Sequence, residues 1–196
     1  MPAKTKMIET FLSVLKNKKS LPNSIKKFYE FFLIKKAFLS PTGQISARSL
    51  LLGAKIQNAL SLQKIKFHPQ LKNSLLVSFL KDIDKGKKIN STNYYRFLSK
   101  YGGADFANIR TKSFEKLYRE AQRGEELKPI LVYEDISDWK GYLPDFPKGN
   151  IIKGNKNGYV IFDGHHRGSI LIQLGYRKIP VKFIKKDPLV DLLKFI

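Results

Sequence analysis

The sequence predicts a mixed α/β fold, and two observations carry the prediction. An apolar run at residues 159–162 stops at Asp163-Gly164-His165-His166-Arg167 and gives way to helical spacing over residues 169–174; residues 178–184 then read as a second strand. Upstream, the first hundred residues carry apolar groups at helical spacing. The expected organisation is a basic all-helical region at residues 1–103 followed by a small α/β domain at residues 104–196.

Taken in order, residues 7–16 and 24–37 read as helices separated by Leu21-Pro22-Asn23. Phe28, Tyr29, Phe31, Phe32 and Leu33 are dense enough to be core rather than a base-stacking platform. Pro41-Thr42-Gly43 marks a turn, and Ile45, Leu50, Leu51, Ala54, Ile56 and Leu60 suggest a further helix. After a break at His68-Pro69, residues 71–83 and 93–101 follow as helices around the basic loop Lys85-Gly86-Lys87-Lys88, and Tyr101-Gly102-Gly103 ends the series. No pair of these helices has the turn and spacing of a helix-turn-helix.

Residues 136–158 form a long linker. Asn157-Gly158 is a tight-turn signal, so Ile151-Ile152 is expected to pair with the strand at 159–162, bringing Lys153 and Lys156 towards the following turn. Trp139, Tyr142 and Phe146 either close over a bound base or substrate or cap the core.

The turn at 163–167 is the strongest local signal. A helix N-terminus presents unpaired N–H groups and about half a positive charge, so anions settle there. Gly164 allows close approach of the backbone, and His165, His166 and Arg167 supply donors to a phosphate. The plainer alternative is a structural turn with Asp163 as N-cap, but a cap needs only one of these residues. Ile170, Leu171 and Leu174 share one helical face, and Gly175 is placed to end the helix in a left-handed conformation.

Strand, Asp163-Gly164-His165-His166-Arg167, short helix, Leu174-Gly175 and Ile179-Pro180-Val181 together resemble the ParB/sulfiredoxin superfamily. Asn108-Ile109-Arg110, a helix through Phe114, Leu117, Tyr118 and Ala121, then Gly124 and Pro129-Ile130-Leu131-Val132, resemble the opening half of a ParB-type N-terminal domain. The resemblance implies a small domain whose Gly-His-His-Arg turn holds the phosphates of a nucleotide (ATP, ADP or CTP, with magnesium), with Arg110 supporting the same site. It implies one of three activities: nucleotide-gated DNA binding with or without nuclease activity, phosphorylation of a small hydroxyl substrate such as free serine, or sulfinic acid reduction. The last requires a reactive cysteine, and the chain has none. Asp105 falls where the serine-kinase relatives carry an acidic residue, but their paired glutamates are missing from Ala104-Asp105-Phe106-Ala107. Asp105 and Asp163 are the candidate acids for catalysis, alongside His165 and His166. No metal site built on protein side chains is expected, because adjacent histidines point apart and the third, His68, lies far away in sequence.

Charge is the second large signal. The 196 residues carry a net charge of +21, with 20 Lys/Arg against 4 Asp/Glu in residues 1–100 and 17 against 12 thereafter. Such a field attracts polyanions, nucleic acid first among them, by counterion release. Of the 37 basic residues 30 are Lys and 7 Arg, which suits backbone contact better than base reading, and also suits a merely Lys-rich composition. No apolar run reaches the ~18 residues of a membrane span, the N-terminus reads poorly as a signal peptide, and a cytoplasmic protein is expected. The combined expectation is a ParB-like phosphate-binding protein that binds nucleic acid through residues 1–100, with nuclease or nucleotide-hydrolysing activity. The alternatives are a kinase of a small hydroxyl substrate and a non-enzymatic nucleotide sensor.

Overall fold

The computed structural model describes residues 35–52, 70–133 and 158–184. Their centre is a mixed five-stranded sheet: β1 (Gly43–Ser46), β2 (Leu50–Leu51), β3 (Ile130–Tyr133), β4 (Tyr159–Asp163) and β5 (Lys178–Ile184), in the order β1-β5-β3-β4-β2. β1 pairs antiparallel with β5, β5 parallel with β3, β3 antiparallel with β4, and β4 parallel with β2. β3 is buried at every position, as a central strand covered on both faces must be.

Among the described residues three whole α-helices accompany the sheet: α1 (Leu75–Asp84), α2 (Asn93–Gln122) and α3 (His165–Gln173). Hydroxyl caps start the first two. Ser74 Oγ accepts the Val77 N–H at 3.4 Å, and Thr92 Oγ1 accepts the Tyr95 N–H at 3.2 Å. α1 buries Leu76, Val77, Phe79, Leu80 and Ile83, the stripe expected of an amphipathic helix. Gly168 has no side chain to hold α3 off the core; a Cβ there would come within 2.8 Å of Leu71 and 3.0 Å of Ile130.

α2 is two helical segments meeting at Gly103, where φ 86° and ψ 170° interrupt the helix. The Tyr101-Gly102-Gly103 stop is therefore real as a break in direction, after which helix resumes directly. Gly175, at φ 84°, follows α3 as its spacing predicts, and α3 itself starts earlier than residue 169, at His165.

Two expectations need correction. The helix expected from Ile45 onward does not start there: residues 43–51 form β1, a single turn of 3-10 helix (Ala47–Ser49) and β2, so the region before residue 104 is not all helical. Nor does a boundary at residues 103/104 divide the described residues. Ile45, Leu50, Leu71, Phe79 and Tyr94 share one hydrophobic core with Phe114, Ile130, Val132, Ile161, Ile170 and Val181. β1 and β2 are short, but pairing with β5 and β4 gives them the backbone partners that an isolated segment lacks.

Residues 35–39 are helical, in keeping with the tail of the predicted 24–37 helix. The helix at 7–16, the break at His68, the aromatics Trp139, Tyr142 and Phe146, the Ile151-Ile152 pairing, Lys153 and Lys156 lie outside the described residues. Among the described residues no helix is long and apolar enough to cross a membrane.

Candidate functional site

β4 ends at Asp163 and α3 begins at His165, so the turn between them is Gly164 alone. Gly164 takes φ 96° and ψ 25°, a left-handed conformation open to glycine at little cost. It is also the N-cap, and no side chain caps the helix. Asp163 therefore does not fill the capping role; its Oδ2 instead accepts from Arg167 Nη2 at 2.8 Å. Arg167 Nη1 donates to the carbonyls of Lys128 at 3.1 Å and Pro129 at 2.9 Å.

These bonds turn Arg167 back across the turn. A Cβ on Gly164 would lie 3.0 Å from Arg167 Nη2 and 3.2 Å from its Cζ, so the group that makes close approach to the bare glycine is the chain's own guanidinium. The register explains the reach: Leu131 pairs with Asp163, which brings residues 128 and 129 alongside the turn. Arg167 thus clamps the turn to the segment entering β3, with both terminal nitrogens engaged.

His166 faces the other way. Its ring stacks on Phe114 at 4.2 Å between centroids, meets Tyr94 edge-on at 6.4 Å, and places Nε2 3.1 Å from the Tyr94 hydroxyl. Burial, with smaller contributions from the nearby Arg110 and His165 charges, lowers the His166 pKa to about 3. Burial likewise lowers His165 to about 4, against an opposing pull from Asp163. Both rings are neutral at pH 7. Neither is a cationic phosphate ligand, and a base with a pKa near 3 or 4 is poorly matched to proton abstraction at neutral pH.

Arg110 is brought to the site. It is exposed, and its charge is close enough to depress the His166 pKa and to oppose the burial that leaves Tyr94 raised to about 12. Among the described residues Arg110 has no hydrogen-bond or ion-pair partner. Asp105, on the same helix, is exposed and makes no hydrogen bond or ion pair among the described residues.

Sequence reasoning missed Tyr94 and the Lys128 and Pro129 carbonyls. Tyr94 was visible only as one position in a helix, and backbone carbonyls carry no sequence signal. What the structure leaves open is an uncapped helix N-terminus with the Arg110 charge close to its second residue, an arrangement that favours an anion. Asp163 pairs with Arg167, and no group of three or more His, Asp or Glu able to hold a metal occurs among the described residues. Comparison of the chain with protein-family models, with curated proteins and with solved structures finds no match in any of the three.

Proposed function

We propose that this protein binds nucleic acid in the cytoplasm, with a backbone or nucleotide phosphate received at the N-terminus of α3 beside Arg110. The observation that carries this reading is Arg110 itself, a cation without an acidic partner among the described residues, beside an uncapped helix N-terminus in a chain of net charge +21. The resemblance of residues 105–186 to the ParB/sulfiredoxin superfamily supports the same reading. In this scheme Arg167 positions the turn, His166 anchors it to the core, and Arg110 meets the phosphate. Binding is the proposed activity, because both histidines are neutral at pH 7 with pKa values well below it.

The test is fluorescence anisotropy of a labelled DNA duplex over a salt series, with thermal-shift measurements in ATP, ADP and CTP, on wild type and Arg110→Ala. The expected result is duplex affinity falling steeply with salt, and a log–log slope reduced by about one in Arg110→Ala. Loss of the thermal shift from one nucleotide in the same variant would place that nucleotide's phosphate at Arg110. Absence of nucleic-acid binding at low salt, or binding untouched by the substitution, would overturn the assignment.

A further inference from the structure

The break in α2 builds an aromatic surface that periodicity does not reveal. Phe97 and Tyr101 lie one helical turn apart, their rings nearly parallel (20°) with centroids 6.4 Å apart. Gly103 then redirects the chain, and Phe106 folds back towards Tyr101, with centroids 6.3 Å apart. Phe106 reaches this position because Gly102 has no side chain, as a Cβ there would sit 2.7 Å from the Phe106 ring. Two consecutive glycines thus bring the three rings into one row.

Phe97 packs against the core, and the two rings beyond it face solvent. Tyr101 is 65% exposed, Phe106 37%, and the neighbouring Ile109 66%. The surrounding charge is basic: residues 93–112 carry Arg96, Lys100, Arg110 and Lys112 against Asp105 alone. Lys100, Arg110 and Lys112 have no ion-pair partner among the described residues. Phe106 and Arg110 are four residues apart on a helix, hence on one face, so the aromatic row leads to the cation beside α3.

We infer that this surface is a stacking platform for single-stranded nucleic acid, with bases on Tyr101 and Phe106 and the adjoining phosphates on Lys100 and Arg110. Flat aromatic rings in a basic field accept any unpaired base, whereas a duplex hides its base faces and offers only phosphates. The inference rests on the nucleic-acid reading above and specifies the form of nucleic acid preferred.

The experiment compares a labelled oligothymidylate with a duplex of equal length, by anisotropy, on wild type, Tyr101→Ala/Phe106→Ala, Tyr101→Phe and Arg110→Ala, with circular dichroism to establish folding. Stacking of this kind leads to an expected loss of about tenfold or more in single-strand affinity for the double variant. Duplex affinity should stay within about twofold of wild type, Tyr101→Phe should retain single-strand binding, and Arg110→Ala should weaken both ligands. Single-strand affinity unchanged in the folded double variant overturns the platform and leaves the wider proposal standing. Wild type that binds neither ligand overturns both. A wild-type dimer in sedimentation that the double variant dissolves, with single-strand affinity intact, makes the patch a self-association surface and also overturns the inference.

Discussion

The Tyr94 hydroxyl stands 3.1 Å from Nε2 of His166, joining residues 72 positions apart and fastening the start of α3 to the first segment of α2. Phe114, stacked on the same imidazole, adds the second segment. His166, in the middle of the Gly-His-His-Arg turn, is thereby packed against the hydrophobic core. Removing the hydroxyl in Tyr94→Phe should cost about 1 kcal/mol, read by urea unfolding.

Acid should weaken the fold through the two histidines. Their pKa values fall from 6.5 to about 4 for His165 and about 3 for His166, in each case chiefly through burial. The unfolded chain therefore binds more protons than the native one in this range. The contribution is complete above about pH 6.5 and is withdrawn as the pH falls towards the folded values, by up to about 1.4 kcal/mol per pH unit for each ring. Urea midpoints measured from pH 7 to pH 4 should decline less steeply in His166→Gln than in wild type. Equal slopes would show that His166 does not carry this linkage.

Arg167→Ala should destabilise the protein by about 2 to 3 kcal/mol, because it removes donors to Lys128, Pro129 and Asp163 together. Asp163→Asn should cost less than about 1 kcal/mol, since that carboxylate is largely exposed. Arg167→Lys should behave like the alanine variant, a single ammonium being unable to reproduce the planar fork. Chemical denaturation of the three variants provides the comparison.

Asp84, the last residue of α1, accepts from Tyr118 Oη and Gln173 Nε2, each at 2.7 Å, and so ties α1 to α2 and α3. Asp84→Ala leaves the buried Tyr118 hydroxyl without this acceptor and should cost about 2 kcal/mol. The Tyr118 pKa is raised to about 12, first by burial and then by Asp84. Ultraviolet titration of Asp84→Asn should therefore show it moving part of the way back towards 10.

Gly103→Ala and Gly164→Ala should each lose about 1 to 3 kcal/mol. Gly103 combines φ 86° with ψ 170°, a region nearly closed to other residues, whereas a Cβ at Gly164 (φ 96°) also meets the Arg167 guanidinium. Gly103→Ala should in addition reduce single-strand binding, since relaxing the break separates Tyr101 from Phe106.

The C-terminal strand, turn, helix and strand were legible because each is set by local spacing: Val160 and Ile161 in β4, Ile170 and Leu171 in α3, Ile179 and Val181 in β5. β1 and β2 were not. β1 has 4 residues and β2 only 2, too few to display a period, and their partners on β5 and β4 lie over a hundred positions away. The site divides similarly. The residues of the turn were visible together, but the division of labour among them depends on Lys128, Pro129, Tyr94 and Phe114, which approach only when the sheet and α2 have formed.

Composition and periodicity alone settled the net charge of +21, the lack of cysteine chemistry and the mixed α/β class, because these follow from side-chain identity and the 3.6- and 2-residue repeats. Only the folded chain decided that Arg167 is a clamp, His166 a neutral ring packed on the core and Arg110 an exposed cation near it. It also decided that Gly102 and Gly103 bring Tyr101 and Phe106 together. The physical reason is that burial and hydrogen bonding, rather than residue type, set whether a polar group is consumed by the structure or left to meet a ligand.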